Sequence, residues 1–288
     1  MPSRQKSFRI AIDLDRPDGS YYPDDEVNGT ITIESPKELV LHEIVAGLVF
    51  SQEYQLKATS ARNTLPKWDK AEHWYHREVL AIDKLPANFK ETFPFAWRIP
   101  PDASPPCAGK IIRNRWLAMV QVDRTMARDV VTEVELPLIV PPQGSMGGGE
   151  FYDQRVPVPA FMSFSLPKLD YIDGDKLSGE LNVGVHKGEL DVRGVRVELV
   201  RREHVSMPGG KTRFIIEQKV QLGGKSDLQA GKPQIYEFNL QMATNGCSTH
   251  VTTTSEVTWM LRGVLDRPQS KDVVAEQEVF LYNGSARA

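Results

Sequence analysis

The chain has 288 residues and a mass of 32.4 kDa, a length that suits one large domain or two of ordinary size. Its 40% hydrophobic and 25% charged residues are typical of a folded, water-soluble protein and argue against global disorder. A formal net charge of -3 removes the electrostatic reason to expect nucleic-acid binding, and the most apolar stretch, residues 44–50, is too short to cross a bilayer.

Two features of the sequence bear on its compartment. The basic N-terminus is followed by no apolar segment, so we expect no signal peptide. Cys107 and Cys247 are the only cysteines, too few to staple a chain of this size, and we expect both to remain thiols in a reducing environment. Together these features predict a cytoplasmic protein.

Apolar and polar residues alternate with period two through most of the chain, as in strands with one buried face. The alternation is clearest at 8–14, 30–33, 44–50, 134–140, 162–166, 181–185 and 195–199. Val, Ile, Thr and aromatic residues fill these segments, while Gly, Pro, Asp and Asn separate them. About seven short strands in each half predict an all-β protein built of antiparallel β-sandwiches.

Residues 60–76 break the alternation and predict a long inter-strand loop with a short helical turn around 69–74. Within this loop, His73 and His76 are candidate ligands for zinc or nickel. Three-residue spacing brings both imidazoles to one side of a helical turn but points them to opposite faces of a strand.

The chain also contains an internal duplication. Residues 116–138 and 259–281 share nine identities in 23 positions without a gap, at an offset of 143, and both segments begin with a tryptophan. Nearer the start of each copy the offset is 150, which aligns Tyr21 with Tyr171. A repeat of this length predicts two homologous domains in tandem, each an immunoglobulin-like sandwich.

The boundary between the copies is rich in proline and glycine over residues 141–160. The Gly147–Gly149 run is not a phosphate-binding loop, because no Gly-Lys-Ser/Thr sequence follows it. We therefore expect an N-terminal sandwich at 1–143, a linker at 144–160 and a C-terminal sandwich at 161–288.

A succession of motifs resembles the arrestin family. The first copy has a strand opening at 22–33 (YPDDEVNGTITI), an aromatic strand at 93–100 (FPFAWRIP), a Ser-Pro-Pro turn at 104–106 and a strand that ends in Asp-Arg at 116–124. The second copy has a matching strand opening at 171–179 (YIDGDKLSG). Their order and spacing resemble the N and C domains of an arrestin.

The resemblance implies a two-sandwich scaffold or adaptor that binds proteins. The sequence departs from the family at Asp24, where Gly is usual, and it has no Pro-Pro-x-Tyr motif. Only six residues follow Tyr282, so we expect no long regulatory tail and no receptor desensitisation of the animal kind. The chain is more similar to microbial arrestin-like proteins, including bacterial sporulation-control proteins, or to the arrestin-like subunit of the retromer coat.

Two sets of charged residues are candidate site residues. Two Asp-Arg pairs fall at strand ends, where they can brace turns or fix the geometry between domains, and they are Asp123 with Arg124 and Asp266 with Arg267. The densest basic region could bind acidic lipid or phosphorylated peptide or, with its neighbouring glutamates, form a solvated strand face, and it contains Arg193, Arg196, Arg201 and Arg202.

Three functional hypotheses follow. The first is a non-enzymatic intracellular adaptor for protein partners, with no cofactor, in which a partner strand adds to a sheet edge; peripheral contact with a membrane is left open. The second is a ligand- or carbohydrate-binding protein that uses Trp68, Trp74 and Tyr75 as an exposed aromatic platform. The third is a metallohydrolase centred on His73 and His76. No local catalytic signature supports an enzyme.

Overall fold

The structure is a computed structural model that describes residues 8–16, 19–57, 67–125, 128–142, 144, 146–153, 160–268 and 270–287. Within these residues every regular element is a β-strand and no helix is found. Nearly all strand pairs are antiparallel, and the described chain divides into two compact units. The all-β, two-sandwich prediction is therefore confirmed.

The first unit includes the described parts of Met1–Glu53, Trp68–Cys107 and Arg113–Ile139. The strands that lie wholly or mostly in it are β1 (Arg9–Leu14), β2 (Glu26–Ser35), β3 (Leu39–Leu56), β4 (Lys67–Trp74), β5 (Glu78–Leu85), β6 (Phe89–Arg98), β7 (Cys107–Ala108), β8 (Ile112–Asp123) and β9 (Val130–Leu136). One sheet has the order β1-β2-β6, and the other has β4-β3-β8-β7 with β5 on β3 and β9 on β8. The two sheets meet where the indole N–H of Trp97 on β6 donates to Glu78 Oε1 on β5, at 3.2 Å.

The second unit includes the described parts of Tyr54–Lys67, Ala108–Ile112 and Val140–Ala288. Its further strands are β10 (Gly147–Tyr152), β11 (Ala160–Lys168), β12 (Asp170–Ile172), β13 (Lys176–Val185), β14 (Glu189–Val192), β15 (Gly194–Val205), β16 (Thr212–Gly223), β17 (Ser226–Gln229), β18 (Gln234–Gln241), β19 (His250–Val251), β20 (Ser255–Asp266) and β21 (Val273–Tyr282). The sheets have the orders β10-β11-β13-β18, β12-β21-β20-β15-β16 with β19 on β20, and β14-β17. The two large sheets pack face to face, since Gly263 on β20 lies against Leu181 of β13 and Phe164 of β11.

The internal duplication is visible as repeated contacts. Trp116 and Trp259 are both fully buried, and each indole N–H donates to a backbone carbonyl twelve positions earlier, that of Ser104 at 2.9 Å and that of Cys247 at 3.1 Å. A buried Trp that keeps its N–H bonded combines a large apolar surface with a satisfied polar group. The sequence repeat therefore corresponds to a structural repeat.

The tyrosines of the repeat also occupy equivalent places. Tyr21 forms a parallel bridge with Leu138, and Tyr171 on β12 pairs in parallel with Leu281 on β21. Both rings are buried. Burial, together with a hydrogen bond to Asp15, raises the pKa of Tyr21 to about 12, and burial with nearby carboxylates raises the pKa of Tyr171 to about 12.

Two glycines of the repeat mark close approaches, as expected for Gly within a strand. A Cβ on Gly29 would lie 2.6 Å from Phe95 Cζ, and one on Gly179 would lie 3.0 Å from Phe238 Cζ. In both copies the phenylalanine is the directly paired residue on the neighbouring strand. The glycine thus makes room for a cross-strand ring that fills the core.

The cysteines and the middle of the predicted linker differ from what the sequence predicted. Neither cysteine is free in the structure, so the prediction that Cys107 and Cys247 remain thiols was wrong and the argument for a reducing compartment loses its support. The middle of the predicted linker is not extended coil, because residues 147–152 form β10 and pair with β11. The domain bounds stay a prediction.

Candidate functional site

The aromatic and histidine-rich segment that starts at Lys67 is a strand, which corrects the predicted loop with a helical turn at 69–74. β4 runs from Lys67 to Trp74 and pairs with β3. Neither of its faces is fully covered, so its sequence shows no clean alternation. Residues 60–66 of the predicted loop lie outside the described residues.

The strand changes the surroundings of the two candidate metal ligands. His73 is exposed and its ring meets the Tyr75 ring edge-on at 4.5 Å. The Nε2 atom of His76 lies 3.2 Å from both the N and the O of Arg98 and hydrogen-bonds to that backbone. The helical turn that would have placed both imidazoles on one side is absent, and the described residues contain no group of three or more His, Cys, Asp or Glu arranged to hold a metal ion.

The three rings of the proposed aromatic platform are packed individually. Trp68 is covered by the guanidinium of Arg113, which lies 4.5 Å from the ring centroid. Trp74 packs against a buried cluster of the first unit. Tyr75 is 41% exposed, but its ring lies 5.1 Å from the fully buried Trp116 ring. This is the packed arrangement that disfavours a ligand-binding platform.

One residue of each Asp-Arg pair, Arg124 and Asp266, makes a side-chain contact within its own unit. Arg124 donates through its guanidinium to the carbonyl of Arg128, four residues later. Asp266 accepts from Arg193 Nε at 2.9 Å, and Arg193 Nη2 also donates to the carbonyl of Arg267 at 3.2 Å. Asp266 thus pairs with Arg193, which lies between β14 and β15, and not with its sequence neighbour Arg267. A role of the Asp-Arg pairs between domains stays a prediction.

Three of the four candidate arginines form ion pairs with nearby carboxylates. The pairs are Arg193 with Asp266, Arg196 with Glu198 and Asp272, and Arg202 with Glu256. The more exposed pairs of Arg193 and Arg202 contribute little to stability, whereas Arg196 and Glu198 are largely buried. These side chains are consistent with a solvated, charge-balanced surface, and binding of an anionic partner stays a prediction.

Arg201 does not belong to that face, which corrects the sequence-based grouping. Along β15 the side chains alternate, so Arg201 lies on the inner face with Leu199, whereas Arg196 and Arg202 lie on the outer face. Arg201 is only 2% exposed. Its guanidinium carbon lies 5.7 Å from the centroid of the Trp259 ring.

Two acids pair with this arginine, the fully buried Glu203 and the partly buried Glu217. Arg201 Nη2 lies 3.2 Å from Glu203 Oε1 and 3.1 Å from Glu217 Oε1. Glu203 is fully buried, and its carboxylate also accepts the backbone N–H groups of Lys110 at 3.1 Å and Ile111 at 2.8 Å. A buried charge is tolerated only when it is paired and hydrogen-bonded in this way. The carboxylate therefore holds the 110–111 backbone in the second unit.

A long edge strand, β16, is a feature of the second unit that could accept a partner strand. β16 has twelve residues and stands at the end of the six-stranded order, where among the described strands its sheet pairing is with β15. Phe214 and Ile216 on this strand are 55% and 53% exposed. The alternating sequence of residues 212–222 could have predicted a strand, but it carries no sign that the strand forms an edge.

His250 is a buried histidine. Its side chain is 6% exposed, and Nδ1 lies 2.9 Å from the carbonyl oxygen of Ser248. Burial disfavours the charged imidazolium and lowers the pKa of His250 to about 4. His250 is therefore neutral at physiological pH.

The chain is an all-β protein of two antiparallel β-sandwiches in tandem, and the Tyr, Gly and Trp positions of the first copy recur in the second. Residues 10–143 match the family described as arrestin (or S-antigen), N-terminal domain, so the first half of the chain is an arrestin N-terminal domain. No curated protein matches the chain. In the described part of the chain there is no helix with the length and apolarity needed to cross a membrane.

Proposed function

We propose that the protein is a non-enzymatic adaptor that binds a protein partner along the edge strand β16. The arrestin N-terminal domain supports an adaptor role, because proteins of this family generally act by binding rather than by catalysis. A cytoplasmic location remains a prediction from the sequence.

The exposed edge at β16 carries the proposal. A strand at a sheet edge presents unpaired N–H and C=O groups, and natural proteins usually protect long edges with charge, proline or a covering segment. Two large apolar side chains, Phe214 and Ile216, instead stand on this edge with more than half of their surface in water. An added partner strand would satisfy the backbone groups and cover both side chains.

The other edge of the second sandwich offers a matched control. Ile235 on β18 is 62% exposed, similar to Ile216. At the end of β18, however, the side chain of Gln218, which belongs to the middle of β16, hydrogen-bonds to the backbone of Gln241, with Gln241 N donating to Oε1 at 3.1 Å. That contact occupies backbone groups which a partner strand would need.

The test compares full-length variants in affinity capture from the source cell. The double variant Phe214→Glu/Ile216→Glu should lose a stoichiometric protein partner that both the unchanged protein and Ile235→Glu retain, as measured by quantitative mass spectrometry. Retention of the same partner by the double variant, or capture of no protein by the unchanged chain, would contradict the proposal.

A further inference from the structure

The edge strand β16 contains a segment that is complementary to itself when read in the opposite direction. Residues 213–217 read Arg-Phe-Ile-Ile-Glu, with opposite charges at the two ends and three large apolar side chains between them. The side chains alternate between the faces of the sheet, so that the outer face carries Phe214 and Ile216 and the inner face carries Arg213, Ile215 and Glu217. Each face is therefore complementary to a reversed copy of the same face.

The backbone edge along this segment is open in the described part of the chain. β16 is the last strand of its sheet order, and its ladder within that sheet is with β15. Just before the strand, Gly210 forms a bridge with Leu56, so the open part of the edge begins after Gly210. An open edge that carries exposed apolar side chains favours pairing with another strand.

The charges of the inner face are complementary between two copies of the chain. Arg213 is exposed and forms no ion pair within 4 Å with any described residue. Glu217 and Glu203 both pair with Arg201, which leaves one negative charge in excess. Glu217 Oε2 accepts from Asn245 at 2.7 Å, and a carboxylate oxygen has a second lone pair for another donor. Arg213 of a second copy would balance the excess charge.

We propose that β16 pairs antiparallel with β16 of a second copy of the chain, with Ile215 opposite Ile215 of that copy. A two-fold axis perpendicular to the sheet keeps each face on its own side, so the pairing must be centred on a residue. Centred on Ile215, Arg213 opposes Glu217 and Phe214 opposes Ile216, and the symmetry makes each contact twice. Directly opposed apolar pairs and opposite charges both stabilise a sheet.

The neighbouring registers are less favourable. Moving the centre by one residue towards the N-terminus places Ile216 opposite Thr212, and moving it towards the C-terminus places Arg213 opposite Lys219. Like charges directly opposite each other destabilise a sheet. In the proposed register Lys211 opposes Lys219 at both ends, which limits the ladder to the residues between them.

This inference rests on the proposed use of β16 as a docking edge and names the occupant of that edge. The first test is oxidation of full-length Ile215→Cys with diamide. Directly opposed Cβ atoms lie about 4.5–5.5 Å apart, close enough for a disulfide after a small adjustment. Neither native cysteine is free, so the introduced thiol has no competitor. We expect a covalent dimer on a non-reducing gel, and none for Thr212→Cys, which is exposed but opposes Gln218.

Two charge variants test the register by sedimentation equilibrium of the full-length protein. Arg213→Glu turns two attractive pairs into two repulsive ones, so the dissociation constant of the dimer should rise about tenfold. Lys211→Glu removes the same amount of positive charge but places a carboxylate opposite Lys219, so it should tighten the dimer severalfold. A general effect of net charge would instead move both variants in the same direction.

Three results would overturn the inference: an unchanged protein that stays monomeric at high micromolar concentration, no crosslink at position 215, or equal effects of the two charge variants. The two proposals fail separately. A monomeric protein that still captures another protein through Phe214 and Ile216 would retain the adaptor and reject the second copy. A dimer crosslinked at position 215 that captures no other protein would retain the self-pairing and reject the adaptor.

Discussion

The two tryptophans that the duplication relates have different neighbours in the two units. Trp116 is packed against aromatic rings, with the centroid of Phe50 at 4.9 Å and that of Tyr75 at 5.1 Å. Trp259 is instead approached by the guanidinium of Arg201 at 5.7 Å. The space beside the equivalent tryptophan is thus filled by aromatic rings in the N-terminal unit and by a buried charged side chain in the C-terminal unit.

The difference shows what the buried charge adds. Rings beside Trp116 need no polar partner, whereas Arg201 requires Glu203 and Glu217. Once buried, Glu203 also accepts two backbone N–H groups from residues 110 and 111. The C-terminal unit therefore uses a charged cluster to fix a second segment of chain, while the corresponding region of the N-terminal unit only packs.

The largest expected effect comes from breaking this cluster. Glu203→Ala leaves Arg201 with a single acid and removes the acceptor for two buried N–H groups, so we expect the free energy of unfolding to fall by about 3–5 kcal/mol. Urea unfolding of the full chain at pH 7.5 measures the loss.

A glutamate of the other unit provides the control. Glu53 on β3 pairs with Arg115 at 3.4 Å but has 27% of its side chain exposed. Glu53→Ala should therefore cost less than about 1 kcal/mol. Similar losses for the two variants would mean that the buried cluster has no special importance.

The next effect is a loss of stability in acid that arises from the C-terminal unit. The folded-state pKa of His250 is about 4, below the ordinary value of 6.5, so folding favours the neutral imidazole. Its contribution is fully present above pH 6.5 and is lost as the pH falls from 6.5 to 4, because the unfolded chain binds the proton first. The total loss is about 3 kcal/mol, at roughly 1.4 kcal/mol per pKa unit.

The measurement compares urea unfolding of the unchanged protein and His250→Asn at pH 7.5, 5.5 and 4.5. The asparagine amide can replace the Nδ1 donor, and it does not titrate in this range. The residue at the same offset in the first copy is Cys107, which gains no positive charge in acid. An identical pH dependence in the variant would exclude His250 as the source.

The smallest effect concerns the turn before β2 and its counterpart before β13. Asp24 has a φ of 72°, and Gly174, its equivalent at the offset of 150, has a φ of 90°. Both positions therefore lie in the left-handed region that favours glycine. Asp24 adds two hydrogen bonds from Arg98, at 2.8 and 2.7 Å, and this ion pair lowers the pKa of Asp24.

We expect exchange of these residues to be asymmetric. Asp24→Gly should leave the thermal midpoint nearly unchanged, because the relieved backbone strain offsets the lost exposed ion pair. Gly174→Asp should cost about 1 kcal/mol, because a side chain there strains the backbone. Equal destabilisation by both changes would show that the Arg98 pair, rather than the turn conformation, dominates at Asp24.

Much of the strand pattern was predictable from the sequence. Alternation identified the more buried face of β1, β2 and β15, because a residue with one side against a core must be apolar. In β3, residues 44–50 are buried on both faces. The duplication was also predictable, since Tyr21, Gly29 and Trp116 each keep a contact that their counterparts repeat. The strand β4 was not predictable, because its faces are only partly covered and its sequence therefore lacks a regular alternation of apolar and polar residues.

The candidate sites were less accessible to sequence reasoning. The inner-face position of Arg201 could have been inferred from the sequence, because it continues the alternating series Val195, Val197 and Leu199. The local density of arginines suggested an exposed surface instead. No pattern in the sequence around His250 indicated that its side chain is buried, because the residues that cover it belong to other strands.

The sequence by itself determined the all-β class, the tandem repeat and the anchors of each copy, because these depend on local periodicity and on similarity between segments. Only the tertiary structure decided that Arg201 pairs with Glu203 and Glu217, and that β16 forms an edge. The physical reason is that the partner of a charge or a hydroxyl is supplied by strands distant in sequence, and their order in the sheet determines which groups meet.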